Sequence, residues 1–191
     1  MAFLGFFLIL LAVIIIHYAV FFLAAQKIEA LTREGVQAAF HDCRAIPIRD
    51  RVELLGCLET VADRVESILV NTMGTSVPVL PGDYTILYTS WEYSDPDGTG
   101  FQVRKTPGPN NPVTRGTLES GNASKYKNAS NFDRSGPSGT RNAVQDKGRL
   151  FVCEIFYRHQ ASRANDKSTT FFNYTFFLPL LNHTIYSASI A

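Results

Sequence analysis

The stretch AFLGFFLILLAVIIIHYAVFFLAAQKIEALTREGVQAAF, residues 2–40, decides how the rest of the chain is read. Its first 24 residues, 2–25, are uncharged and almost all apolar, and Lys27 is the first charged residue of the protein. At a rise of about 1.5 Å per residue, such a helix is roughly 36 Å long and exceeds a hydrocarbon core of about 30 Å. A secretory signal peptide would show a basic start, a shorter apolar core and a small-residue cleavage site, none of which is clear here. The reading is a transmembrane-length helix. It continues past the apolar run, because Ile28, Leu31, Gly35 and Ala38 or Ala39 recur at helical spacing while Glu29 and Arg33 form an i,i+4 pair. One continuous helix is expected to about Phe40 or Asp42, with Pro47 ending it.

Outward from that helix, Asp50 is a candidate N-cap with Glu53 three residues on, a variant of the capping box. An apolar stripe at Val52, Leu55, Leu58, Ala62, Val65 and Leu69 predicts a second, amphipathic helix closed by Gly74 and Pro78. Three strand candidates follow at residues 83–93, 149–157 and 183–190, each rich in β-branched and aromatic residues. Residues 94–147 are a long polar insertion, with eight Lys or Arg, five Asp or Glu, seven of the 13 glycines and five of the nine prolines. That composition predicts a surface segment, either loop-like or held by packing on its neighbours. The expected architecture is therefore α+β: an anchor helix over 1–42, then a small domain over 43–191. Its sheet is antiparallel, of about three strands. The domain has its own stripe and strands, so a chain starting near Arg33 is expected to fold alone.

Charge and composition exclude several functions. The 18 basic and 17 acidic residues leave a formal charge of +1, without the clustered basic face of a nucleic-acid binder. His17, His41, His159 and His183 have no metal spacing, and His17 reads as a neutral histidine satisfied against a neighbouring helix. Gly98-Thr99-Gly100 reads as a turn, and no Gly-x-Ser-x-Gly elbow is present. No catalytic, cofactor-binding or metal constellation is found, and the chain is not expected to be an enzyme.

Cys43, Cys57 and Cys153 allow three single pairings. Cys43–Cys57 would tie the end of the first helix to the second, although Cys57 lies about two turns past the loop. Cys57–Cys153 would tie the second helix to the sheet, and free buried thiols are the third option. Asn122, Asn128, Asn173 and Asn182 head N-x-[ST] sequons and are the candidate glycosylation sites. With 10 Asn and 28 Ser plus Thr in 191 residues, chance (10 × 28/191) gives about 1.5. Lys27 and Arg33 after the apolar run, with no basic residue before it, would by the positive-inside rule keep the domain in the cytoplasm. The sequons point outside. Removal of a basic leader would reconcile the two.

The order of these elements resembles the TadE-like proteins of tight-adherence (type IVc) pilus systems. The likeness is carried by AQKIEALTREGVQAAF (25–40) with its Arg-Glu-Gly, by VCEIFYRH (152–159) and by FFLPLLNHTIYSASIA (176–191). The resemblance covers roughly the first and last 40 residues. It implies a cell-surface structural subunit that sits in the cytoplasmic membrane before assembly, then polymerises through its N-terminal helix with the help of pilus assembly machinery. One position departs from the wider pilin pattern: a Glu at the fifth mature position is replaced by Gly5, and Glu29 is the first carboxylate. The helix is apolar on all sides, so Phe3, Phe6, Phe7, Ile15, Phe21 and Phe22 are the expected assembly contacts.

Overall fold

In the computed structural model, residues 2–46, 50–74, 78–94, 102–106, 112–126, 149–158 and 184–191 are described. The chain folds as α1 (Ala2–Cys43), α2 (Arg51–Met73), β1 (Tyr84–Ser94), β2 (Gln102–Thr106), β3 (Val113–Gly116), β4 (Arg149–Arg158) and β5 (Thr184–Ile190). The class is α+β. α1 runs unbroken for 42 residues, about 63 Å, because nothing in it breaks a helix before its C-terminal turn.

α2 starts where the capping pattern places it. The Asp50 carboxylate accepts the Glu53 amide at 3.1 Å, and Gly74 closes the helix by donating to the Val70 carbonyl. The stripe differs in its first turns. Leu54, Leu58, Val61, Ala62, Val65 and Leu69 are buried, whereas Val52 is 82% exposed and Leu55 also faces solvent. The helix is rotated so that Leu54 and Val61 point inward, a phase that the pairings with α1 impose. Those pairings, Cys43 with Cys57, Asp42 with Arg64 and Gly35 beside Val65, run in opposite directions along the two helices. α2 therefore lies antiparallel to the second half of α1.

The sheet is antiparallel with order β2–β1–β4–β5, and β3 also pairs with β1. Five strands replace the three expected, because the polar insertion supplies two. β2 pairs with Ser90–Ser94 and β3 with Thr85–Tyr88, so two short strands share one edge of the 11-residue β1. Gly116 ends β3 with φ +74°, and a Cβ there would strike the Tyr84 carbonyl oxygen. The remaining strands lie where the sequence reading puts them, with Ile86 opposite Ile155 and Tyr88 opposite Cys153.

One core joins these layers. Ile28, Leu31, Val36 and Ala39 of α1 meet the α2 stripe and the inner face of the sheet, formed by Tyr84, Ile86, Tyr88, Phe151, Cys153, Ile155 and Tyr157. Residues 24–43 thus belong at once to the anchor helix and to the domain core. At Gly35 the helix lies so close to the sheet that a Cβ would overlap the Tyr88 hydroxyl and sit 3.1 Å from Val65 and 3.3 Å from Cys153. This contact gives the glycine of the Arg-Glu-Gly stretch a physical reason. Tyr84 donates a hydrogen bond to Glu66, and Arg115 pairs with Asp63, so β1 and β3 are both tied to α2.

Candidate functional site: the apolar half of helix α1

The region that the rest of the chain does not explain is the N-terminal half of α1. Phe7 is 52% exposed, Ile15 58% and Phe22 62%, and Leu8, Ile9, Leu11, Ile16, Val20 and Leu23 are exposed with them. At 100° per residue these nine positions spread over roughly 220° of the helix circumference. A single partner helix covers a much narrower stripe. The remaining sector lies in line with the core-facing residues Ala24, Ile28 and Leu31, and there Phe21 is half-buried, its ring edge-on to Phe22 at 6.4 Å. Phe3 and Phe6 lie on the same helix, but their side chains are outside the described ones. α1 is long and apolar enough to cross a membrane, and only 7% of its most apolar window is buried in the protein. The core helix of a soluble protein would be mostly covered.

The corner where α1 ends is built from buried and cross-linked groups. A disulfide joins Cys43, the last residue of α1, to Cys57 in the second turn of α2, with the Cα atoms 5.9 Å apart. The antiparallel course of α2 is what brings Cys57 back level with Cys43. The Arg149 guanidinium, on a residue only 5% exposed, donates to the carbonyls of Cys43 (3.4 Å) and Ile46 (3.2 Å). It thereby holds the turn that follows α1, where the Cys43 carbonyl also accepts from the Ile46 amide at 3.3 Å. Cys153 is unpaired and buried, and burial pushes its thiol up to about 12. Among the described residues, no group of three or more His, Cys, Asp or Glu side chains is placed to hold a metal.

The other face of the sheet carries Thr85, Leu87, Trp91, Leu150, Val152 and Phe156, all buried. Part of the polar insertion is fastened there. Glu154, fully buried, accepts hydrogen bonds from the Ser124 hydroxyl, the Lys125 amide at 2.9 Å and the Tyr186 hydroxyl at 2.8 Å. Thr85 exchanges two further bonds with the Glu119 backbone. Sequence reasoning missed this clasp, although a lone carboxylate inside the apolar run RLFVCEIFY was its signal, since a buried charge needs donors. Of the candidate glycosylation sites, Asn122 lies in a 3-10 turn at Gly121–Ala123, and the other three are outside the described residues. Ser124, the hydroxyl residue of the Asn122 sequon, is 3% exposed and committed to Glu154. Any glycan at Asn122 must therefore be attached before this turn docks.

Comparison with models of protein families, with curated proteins and with solved structures returned no match. The arrangement itself has to carry the functional reading.

Proposed function

We propose that this chain is a structural, non-enzymatic subunit of an extracellular pilus-like filament, held in the cytoplasmic membrane by α1 before assembly and polymerised through α1 afterwards. The observation that carries the reading is the unbroken continuity of α1. One unbroken helix is naked and apolar over its first half and forms the domain core over its second half. A tether for a binding domain needs only a span and a linker, whereas here the span and the fold are one rod. The roughly 220° apolar band fits enclosure by several neighbours, first lipid and then copies of the same helix. Within lipid, apolar helix faces gain little by associating, so transfer into a water-excluding bundle calls for assembly machinery that extracts the subunit. Once the helix has left lipid, burial at about 25 cal/mol per Å2 holds the bundle together. The resemblance to TadE-like proteins supports the same reading, in which the polar insertion over residues 94–147 supplies the filament's outer, adhesive and glycosylated face.

Ile15→Asp places a charge in the middle of the exposed band. We expect it to abolish filaments in sheared cell material while the domain keeps its circular dichroism and its resistance to protease. Normal filament yield from the Ile15→Asp chain would defeat the bundle. Wild-type protein that stays wholly with membranes, with no polymer, would instead leave a single-pass anchored binding protein as the account.

A further inference from the structure

We infer that Cys43 and Cys57 are the substrate dithiol of a thiol–disulfide oxidoreductase outside the cytoplasm, with Cys57 as the entry thiol and Cys43 as the resolving thiol. The inference rests on the reading of the domain as exterior. Its basis is the unequal placement of the two sulfurs. Cys43 has no accessible surface, enclosed where α1 ends and where Arg149 grips the carbonyls of Cys43 and Ile46. Cys57 is only partly buried, on the second turn of α2, and the residues one turn away on its side of the helix, Glu53 and Thr60, are both exposed. A large protein disulfide can reach Cys57 but not Cys43.

The exchange then has one order. The Cys57 thiolate attacks a sulfur of the donor disulfide, forming a Cys57–donor mixed disulfide and releasing one donor thiolate. The Cys43 thiolate attacks the Cys57 sulfur, closing the Cys43–Cys57 bond and releasing the second donor thiolate. The two cysteine thiols give up two protons, the pair is oxidised by two electrons, and the donor disulfide is reduced to a dithiol. Cys153 takes no part, because β4 carries it beneath α1 beside Gly35 and Tyr88, with no accessible surface. Packing alone thus removes the competing pairings that three cysteines permit. The donor's compartment is set by the same chemistry, since lasting structural disulfides belong to oxidising spaces.

The test uses the full-length chain in its own membrane, quenched with acid, alkylated and run without reductant. Wild type should show Cys43 and Cys57 bonded, with Cys153 alkylated only after denaturation. Cys43→Ser should accumulate a reductant-sensitive adduct between Cys57 and a second protein, roughly tenfold more than Cys57→Ser yields through Cys43, in line with the control of thiol exchange by access. Native protection of Cys153 in both variants reports an intact fold. As a second measurement, mildly reduced wild type should be alkylated at Cys57 before Cys43. Equal or reversed trapping, adducts with small thiols alone, or alkylation at Cys43 first would overturn the assignment. A wild-type chain with all thiols reduced and unreachable by a membrane-impermeant reagent would overturn it too, and would sink the exterior reading with it. A bridged wild type that makes filaments but traps no protein would overturn the assignment and leave the filament reading standing.

Discussion

Gly35→Ala tests the closest helix–sheet contact in the molecule. Two effects of opposite sign act at this site. In the interior of a helix, Ala is favoured over Gly by about 1 kcal/mol. Against that, the new methyl would overlap the Tyr88 hydroxyl and press on Val65 at 3.1 Å and Cys153 at 3.3 Å. Overpacking of this kind costs about 1–3 kcal/mol, so the net loss should be about 0–2 kcal/mol. The main obstacle is one atom. The Tyr88 hydroxyl is buried beside the Cys153 thiol without a hydrogen bond of good geometry, so Tyr88→Phe should be nearly neutral by itself. In the Phe background only the Val65 and Cys153 contacts remain, the Val65 methyl can rotate, and the helix preference should prevail. The double-mutant cycle should therefore give a coupling of about 1–2 kcal/mol. For a chain of this size that is roughly 2–8 °C between the two effects of Gly35→Ala on Tm. The assay is thermal unfolding of the full chain in detergent, followed by circular dichroism. If Gly35→Ala costs the same in both backgrounds to within about 0.5 kcal/mol, the close approach is not what makes glycine necessary at this position.

The sequence reading lets a chain starting near Arg33 fold alone, but the core position of Ile28 and Leu31 corrects it: that chain should be less stable than one starting at Ala24 by about 3–6 kcal/mol in thermal unfolding followed by circular dichroism. The shorter chain loses Ile28 (0% exposed) and Leu31 (7%), each contributing about 1.5–3 kcal/mol of burial, against a typical total stability of 5–15 kcal/mol. Glu154→Leu should cost several kcal/mol, because the Ser124, Lys125 and Tyr186 donors lose a buried acceptor at about 1–3 kcal/mol each. Glu154→Gln, which keeps an acceptor, should cost less, and hydrogen exchange at the Lys125 amide reads the difference. The hydrogen bond from His41, followed by the charge of Arg64, holds the Asp42 carboxyl below its ordinary value of 3.8. The folded-state value is the lower one, so this contribution is present above pH 3.8 and is lost as pH falls through the folded value. Asp42→Asn should make Tm slightly less sensitive to acid below that point, and an unchanged acid slope would refute the pairing.

The helices and the three long strands were legible because each declares itself locally. The uncharged run, the Asp50–Glu53 cap and the Val/Ile/Tyr-rich segments need no distant partner to be recognised. What escaped depends on such partners. β2 and β3 are four or five residues long and polar, and they exist because the outer edge of β1 offers unpaired amides and carbonyls. The phase of α2 was misread by one position in its first turns because Val52 and Leu55 fit the periodicity as well as Leu54 does. Packing against α1 settles the choice. Arg149 and Glu154 looked like ordinary charges at a strand start and in a strand middle, and their roles depend on carbonyls and hydroxyls more than 25 residues away in sequence. In the candidate site, the apolar band was visible throughout. The Ile28, Leu31, Gly35 and Ala39 spacing showed that the helix continues, but the sequence reading began the domain at residue 43, and only the packing puts Ala24 to Cys43 in its core.

Because α1 serves both halves of the molecule without a joint, it works as a keyed shaft. Inserting one residue between the exposed band and Ala24 would turn the domain by about 100° and move it 1.5 Å along the axis. Inserting seven would restore its heading to within about 20° while lifting it about 10 Å. Which side of the domain faces a given side of the apolar band, and at what height above it, is thus set by counting residues along one helix, and evolution can lengthen the stem without turning the head only in steps of whole heptads or nearly so.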